Sequence, residues 1–127
     1  MRKFLLALAA VLAFSVAPAA AKDFVPYDNA KLEAAIKSGA PVVIHVHAEW
    51  CPVCRRQIVV LDELFKNPAL AKIQTIRVNY DTERGFVSAY KVKRQANILV
   101  FKDGEEVARV DYDPDADRIR AAVNRAL

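Results

Sequence analysis

From residue 28 to residue 126 the chain alternates between two hydrophobic patterns, one repeating about every 3.6 residues and one nearly continuous. Asp28 can cap a helix whose inward stripe is Leu32, Ala35 and Ile36, with Gly39 as its stop. "PVVIHVH", opening at Pro41, is rich in β-branched residues and too apolar to be half-exposed, which predicts a central strand buried on both faces. Cys51 and Pro52 then start a helix, with proline at the first helical position, where its missing N–H costs nothing. Cys54, Ile58, Leu61 and Phe65 would share one inward face of it, leaving Cys51 at an exposed tip.

"KIQTIRVNYD" reads as the next strand, and Thr82 would cap a short helix burying Phe86, Ala89 and Tyr90. "NILVF", the Asp103-Gly104 turn and "EEVARV" predict a β-hairpin. A last helix from Asp113-Pro114 would turn Ile119, Ala122, Val123 and Ala126 inward. After an N-terminal segment the order is β-α-β-α-β-β-α. The fold class is therefore α/β, a central sheet flanked by helices, with the cysteines at the C-terminal end of a central strand, where ligand chemistry tends to sit in such sheets.

The first residues follow another rule. Arg2 and Lys3 precede an apolar run from Phe4 to Val16, and Ala19-Ala20-Ala21 supply the small residues a signal peptidase inspects. Cleavage of a signal peptide, residues 1–21, is expected, leaving one domain over 22–127. An uncleaved anchor is the alternative, since Phe4 to Ala21 just reaches the roughly 18 apolar residues that span a bilayer. The short alanine-rich signal points to a bacterial periplasm, with no stable membrane association after cleavage and a monomer as the default.

A chain that is 54% hydrophobic and 27% charged is globular rather than disordered. Its 19 basic and 15 acidic residues are interleaved, so the concentrated positive patch that nucleic acid requires is missing. Tyr27, Tyr80, Tyr90 and Tyr112 read as packing or rim residues. Asp111, Asp113, Asp115 and Asp117 lack the glycine and closing glutamate of a calcium loop, and helix capping explains them better.

"HVHAEWCPVCRR", residues 45–56, holds both histidines, the single tryptophan and both cysteines. In an exported chain two cysteines can hold a disulfide. A bridge between Cys51 and Cys54 closes too short a loop to stabilise much by chain entropy, so a structural staple is a weak reading. A redox pair fits better. The unpaired N–H groups and dipole of a helix N-terminus stabilise a thiolate, which makes Cys51 the nucleophile and Cys54, one turn on, the resolving thiol. A second reading is metal binding: His45 and His47 project to the same strand face and, with Cys51 and Cys54, offer four nitrogen and sulfur ligands to zinc or copper. The spacing matches none of the usual zinc-finger patterns.

"VVIHVHAEWCPVCR", followed by "VNYD" and "ILVFKDGEEV", resembles the thioredoxin superfamily across nearly all of residues 22–127. The resemblance implies a thioredoxin fold, a mixed sheet flanked by helices. It also implies thiol–disulfide exchange with protein substrates and a redox-recycling partner, without a bound cofactor. A redox-inactive binding module of the same fold is a further alternative. The family's docking rim falls on Trp50, Pro52 and Val53. Three departures stand out. Pro52-Val53 replaces Gly-Pro between the cysteines, which changes the expected redox potential. The buried acid that relays protons in the family falls on His45, which could carry the Cys54 proton with an unperturbed pKa near 6.5. The cis-proline position, which lines up substrate with its preceding residue, falls on Gln95-Ala96, where a trans bond is expected because cis costs about 2.5–4 kcal/mol before alanine.

Overall fold

Asp28 caps the first helix as its position suggests, its carboxylate accepting the Lys31 N–H at 2.9 Å. This helix, α1 (Asn29–Lys37), ends at Gly39, whose φ of +78° only glycine adopts without strain; the Gly39 and Ala40 N–H groups close the last carbonyls of Ile36 and Ala35. The computed structural model describes residues 22–127, and the expected signal segment lies outside the described residues.

Five strands form one sheet in the order β1-β3-β2-β4-β5. They are β1 (Val25–Pro26), β2 (Val42–His47), β3 (Gln74–Asn79), β4 (Asn97–Lys102) and β5 (Glu105–Asp111). β1 and β2 run parallel to β3, while β4 is antiparallel to both β2 and β5. The predicted "PVVIHVH" strand is thus central, and Val42 to Val46 are all buried. The N-terminal segment adds a strand that its two residues could not announce. At the β4–β5 turn Asp103 (φ +54°) and Gly104 (φ +82°) both lie in the left-handed region, the geometry whose twist suits a two-residue hairpin.

The remaining helices are α2 (Pro52–Leu64), α3 (Arg84–Ala89) and α4 (Ala116–Asn124). One face of the sheet packs Val42, Ile44, Val46 and Leu99 under Leu32 of α1 and Phe86 and Val87 of α3. The other packs Val43, Ile98 and Val100 under Leu61 of α2 and Ile119, Ala122 and Val123 of α4. The fold is a mixed sheet flanked by helices, as the resemblance implies.

Three local expectations are corrected. On α2 the inward residue between Cys54 and Leu61 is Gln57, fully buried, and Ile58 is only half-buried. α3 begins at Arg84 rather than after Thr82: Asn79 Oδ1 accepts the Asp81 and Thr82 N–H groups and holds the turn there, and Val87, not the exposed Ala89, is buried beside Phe86. α4 begins two residues later than expected because Asp115 is the cap, accepting the Arg118 N–H at 2.9 Å, while Asp113 accepts the Asp115 N–H. Among the described residues no helix is long and apolar enough to cross a membrane.

Candidate dithiol site

Where β2 ends at His47, the chain makes one turn through Ala48 and enters α2 at Cys51. The Cys51 N–H donates to the Ala48 carbonyl at 3.1 Å. Extended backbone at Cys51 (φ −90°, ψ 112°) makes it the N-cap, and Pro52 follows at the first helical position. The Cys51 sulfur takes the place of a capping oxygen, accepting the Cys54 N–H at 3.0 Å. A backbone donor and the positive end of a thirteen-residue helix therefore face the atom on which negative charge would develop.

Both cysteines are free thiols. The expectation that Cys51 is exposed is corrected: like Cys54 it has no solvent-accessible surface. Ala48 and Ala96 close over the pair, with Val53, Tyr80 and Tyr112 packed around them. Burial pushes the Cys54 thiol up to about 12, and the hydrogen bond with Cys51 adds to the effect. Backbone hydrogen bonds from Ala48 and Ala96 pull the other way. Cys54 is therefore protonated at neutral pH.

His45 sits on β2 with no exposed surface, and its Nε2 lies 2.9 Å from Gln57 Oε1. Burial lowers its pKa to about 3, helped by the nearby Arg77 cation and opposed in part by the Gln57 bond. The expected pKa near 6.5 is thus corrected, because the imidazolium would be buried without a counter-charge. Among the described residues the ring's hydrogen bond goes to Gln57 and not to the Cys54 sulfur. His47, at the strand end, is half-buried, and its pKa is likewise lowered by burial and by Arg77.

The four proposed metal donors do not converge. Among the described residues no three His, Cys, Asp or Glu side chains gather where one ion could touch them, and the His45 Nε2 is engaged by Gln57.

Ala96 is buried in one cluster with both cysteines, and the Gln95-Ala96 bond is trans. Its φ is +58°, a left-handed conformation that strains a residue with a Cβ by roughly 1–2 kcal/mol. Three hydrogen bonds hold it there: Ala96 N–H to the Val46 carbonyl at 2.9 Å, and the Tyr112 N–H at 2.8 Å and Gln57 Nε2 at 3.0 Å to the Ala96 carbonyl. Gln95 is half-buried at the edge.

The outer rim is mixed. Trp50 is 57% exposed and its indole N–H donates to Asp81 Oδ2 at 2.9 Å, which fixes the ring beside the thiols. Pro52 is exposed and Val53 half-buried. Arg84 lies over the Tyr80 ring and Arg94 over the Tyr112 ring, at 4.8 and 4.3 Å from the centroids. The sequence reading missed Gln57 and Asp81 as site residues, while Tyr80 and Tyr112, expected as packing or rim residues, pack around the thiols. Only Gln57 carried a signal, as a polar residue three positions after Cys54 on a helix face that buries its neighbours.

A dithiol capping a helix, beneath a left-handed turn from the next strand of a mixed sheet, defines a thiol-redox α/β protein. The thioredoxin family profile matches residues 23–125. A thioredoxin of Rickettsia bellii is 29% identical over 79 residues, covering 62% of this chain and 74% of that protein. The crystal structure of Trxlp from Edwardsiella tarda has a TM-score of 0.73 and 33% identity, covering 78% of this chain and 96% of that one. A Malassezia sympodialis thioredoxin shares the fold at a TM-score of 0.71 and 20% identity, covering 83% and 95%. The chain belongs to the thioredoxin family and is a thiol–disulfide oxidoreductase.

Proposed function

We propose that the protein exchanges disulfides with exported protein substrates in a bacterial periplasm, using Cys51 as nucleophile and Cys54 as resolving thiol. The observation that carries this reading is the Cys54 N–H aimed at the Cys51 sulfur at the start of α2. In the reducing direction the Cys51 thiolate attacks one sulfur of a substrate disulfide. A Cys51–substrate bond forms, and the first substrate thiolate leaves to be protonated by solvent. Cys54 then attacks the Cys51 sulfur. The Cys51–Cys54 bond forms, the mixed bond breaks, and the proton lost by Cys54 ends on the second substrate thiol. Two electrons pass from the dithiol to the substrate, and a recycling partner reverses the change. With Trp50, Pro52, Val53 and Gln95 at the rim and Ala96 at the sulfurs, an extended substrate segment has a surface on which to lie. Both Ala96 backbone groups are engaged internally, so that residue contributes contact rather than strand pairing. His45 stays neutral through the cycle and acts on the site through Gln57.

The domain over 22–127 acts as a monomer, exported by a signal peptide that ends at Ala21. Equilibrium titration of residues 22–127 in glutathione buffers, with alkylation and mass readout of both cysteines, tests the redox reading. A reversible two-electron couple is expected, near about −120 mV for an oxidant or about −270 mV for a reductase. Two thiols that never couple across the glutathione range would overturn it. Export is tested by N-terminal sequencing of the periplasmic fraction, with Lys22 expected as the first residue.

A further inference from the structure

Gln57 is the one fully buried amide of α2, and its side chain reaches three separate segments. Nε2 donates to the Ala96 carbonyl and to the Asp113 carbonyl, each at 3.0 Å, and Oε1 lies 2.9 Å from His45 Nε2. The orientation of the amide follows from its partners. Both carbonyls only accept, so the NH₂ must face them; a flipped amide would set its oxygen against two oxygens. His45 Nε2 must then carry the ring proton, and Nδ1 is the unprotonated nitrogen, without a partner among the described residues.

This network ends at the Ala96 turn. Alanine does not hold φ +58° by preference, and the turn is imposed from both sides. The Val46 carbonyl takes its N–H on one side, while Gln57 and the Tyr112 N–H pin its carbonyl on the other. Ala96 in turn is buried in one cluster with Cys54 and Cys51. A side chain three residues after Cys54 thereby sets the roof over its sulfur.

We propose that Gln57 is a positioning residue for the resolving step: by clamping the Ala96 and Asp113 carbonyls and seating on His45, it holds the left-handed Ala96 turn where Cys54 can attack Cys51. The inference rests on the assignment of Cys51 as nucleophile and Cys54 as resolving thiol.

The test uses reduced residues 22–127 and the chromogenic disulfide 5,5′-dithiobis(2-nitrobenzoate) in stopped flow. Attack by Cys51 releases a first aryl thiolate, and attack by Cys54 on the mixed disulfide releases a second, so the two steps are read separately. In Gln57→Met, which keeps the length and loses the donors, the first release is expected within about twofold of wild type and the second slowed by about tenfold or more. A second release slowed less than this in the folded variant overturns the role of Gln57. Should Gln57→Met fail to fold, Gln57→Glu is judged by the same criterion, since its carboxylate still accepts from His45 but cannot donate to the carbonyls. A purely structural role is separated by Ala96→Gly in the Gln57→Met background. Glycine takes the turn without a clamp, so the second release should recover by about threefold or more; no recovery overturns Ala96 as the group being positioned. A wild-type protein that gives no second release overturns the dithiol reading itself, and the role of Gln57 with it.

Discussion

The two faces of β2 do different work. On one, Val42, Ile44 and Val46 pack in one hydrophobic cluster with side chains from α1, α3 and the neighbouring strands. On the other, Val43 packs in a comparable cluster, but the next inward residue is His45, joined to Gln57 and through it to two loop carbonyls. The apolar face stabilises by area and shape, and any well-fitting set of side chains would serve. The polar face stabilises little net, because each of its bonds replaces one to water. What it provides is direction: the Gln57 amide is satisfied in one arrangement, and that arrangement holds the Ala96 turn beside the thiols. One face of a strand can thus carry the stability while the other carries the geometry of the site.

The largest effect expected belongs to the end of the polar face. Cys51→Ser should lower disulfide-exchange turnover by about 10³-fold or more while leaving chemical unfolding nearly unchanged, since it removes the nucleophile and one buried contact. Turnover that survives would place the chemistry elsewhere. Next comes the apolar face: Ile44→Ala should cost about 2–5 kcal/mol in urea unfolding. The redox potential of the folded variant should stay that of the wild type, and a shifted potential would show that the two faces are not separable.

The third prediction concerns pH. The folded-state pKa of His45 lies at about 3, below the unfolded value of 6.5. Between these values the unfolded chain binds the proton that the folded protein refuses, so stability falls as pH falls. The full contribution of the neutral ring is present above pH 6.5 and is lost progressively down to about pH 3. From pH 6.5 to 4.5 the wild type should lose roughly 2 kcal/mol more than His45→Gln, which cannot titrate. Parallel urea curves for the two proteins at both pH values would show that the imidazole is protonated in place. The smallest effect belongs to the rim. Asp81→Asn weakens an exposed, charge-assisted bond to Trp50 and should change stability by about 0.5 kcal/mol. Its visible sign should be a shift in tryptophan emission, because Trp50 is the single tryptophan.

Much of this comparison was legible in the residues. The unbroken apolar run of "PVVIHVH" marked β2 as central, the Asp103-Gly104 pair marked the hairpin, and the spacing of Cys51 and Cys54 after an apolar strand marked the dithiol. The inward face of α2 was misread by one position. Gln57 and Ile58 flank the Cys54–Leu61 stripe almost equally, and hydrophobicity favours Ile58. Gln57 is buried instead because three groups from distant segments, His45, Ala96 and Asp113, need what an amide offers. The same limit hid the burial of Cys51, because its cover comes from Tyr80, Ala96 and Tyr112.

Local backbone rules act over a few residues, and within that range the amino-acid order alone determined the type and order of the elements from α1 onward, the helix-capping cysteine and the second thiol one turn behind it. Tertiary structure decided what those thiols face. The sheet order sets β4 beside β2, and that pairing carries Ala96 to the sulfurs. Burial on the α2 side then depresses the His45 pKa and turns an expected proton carrier into a neutral ring. Contacts between residues tens of positions apart follow from how elements pack, and no spacing within "HVHAEWCPVCRR" encodes them.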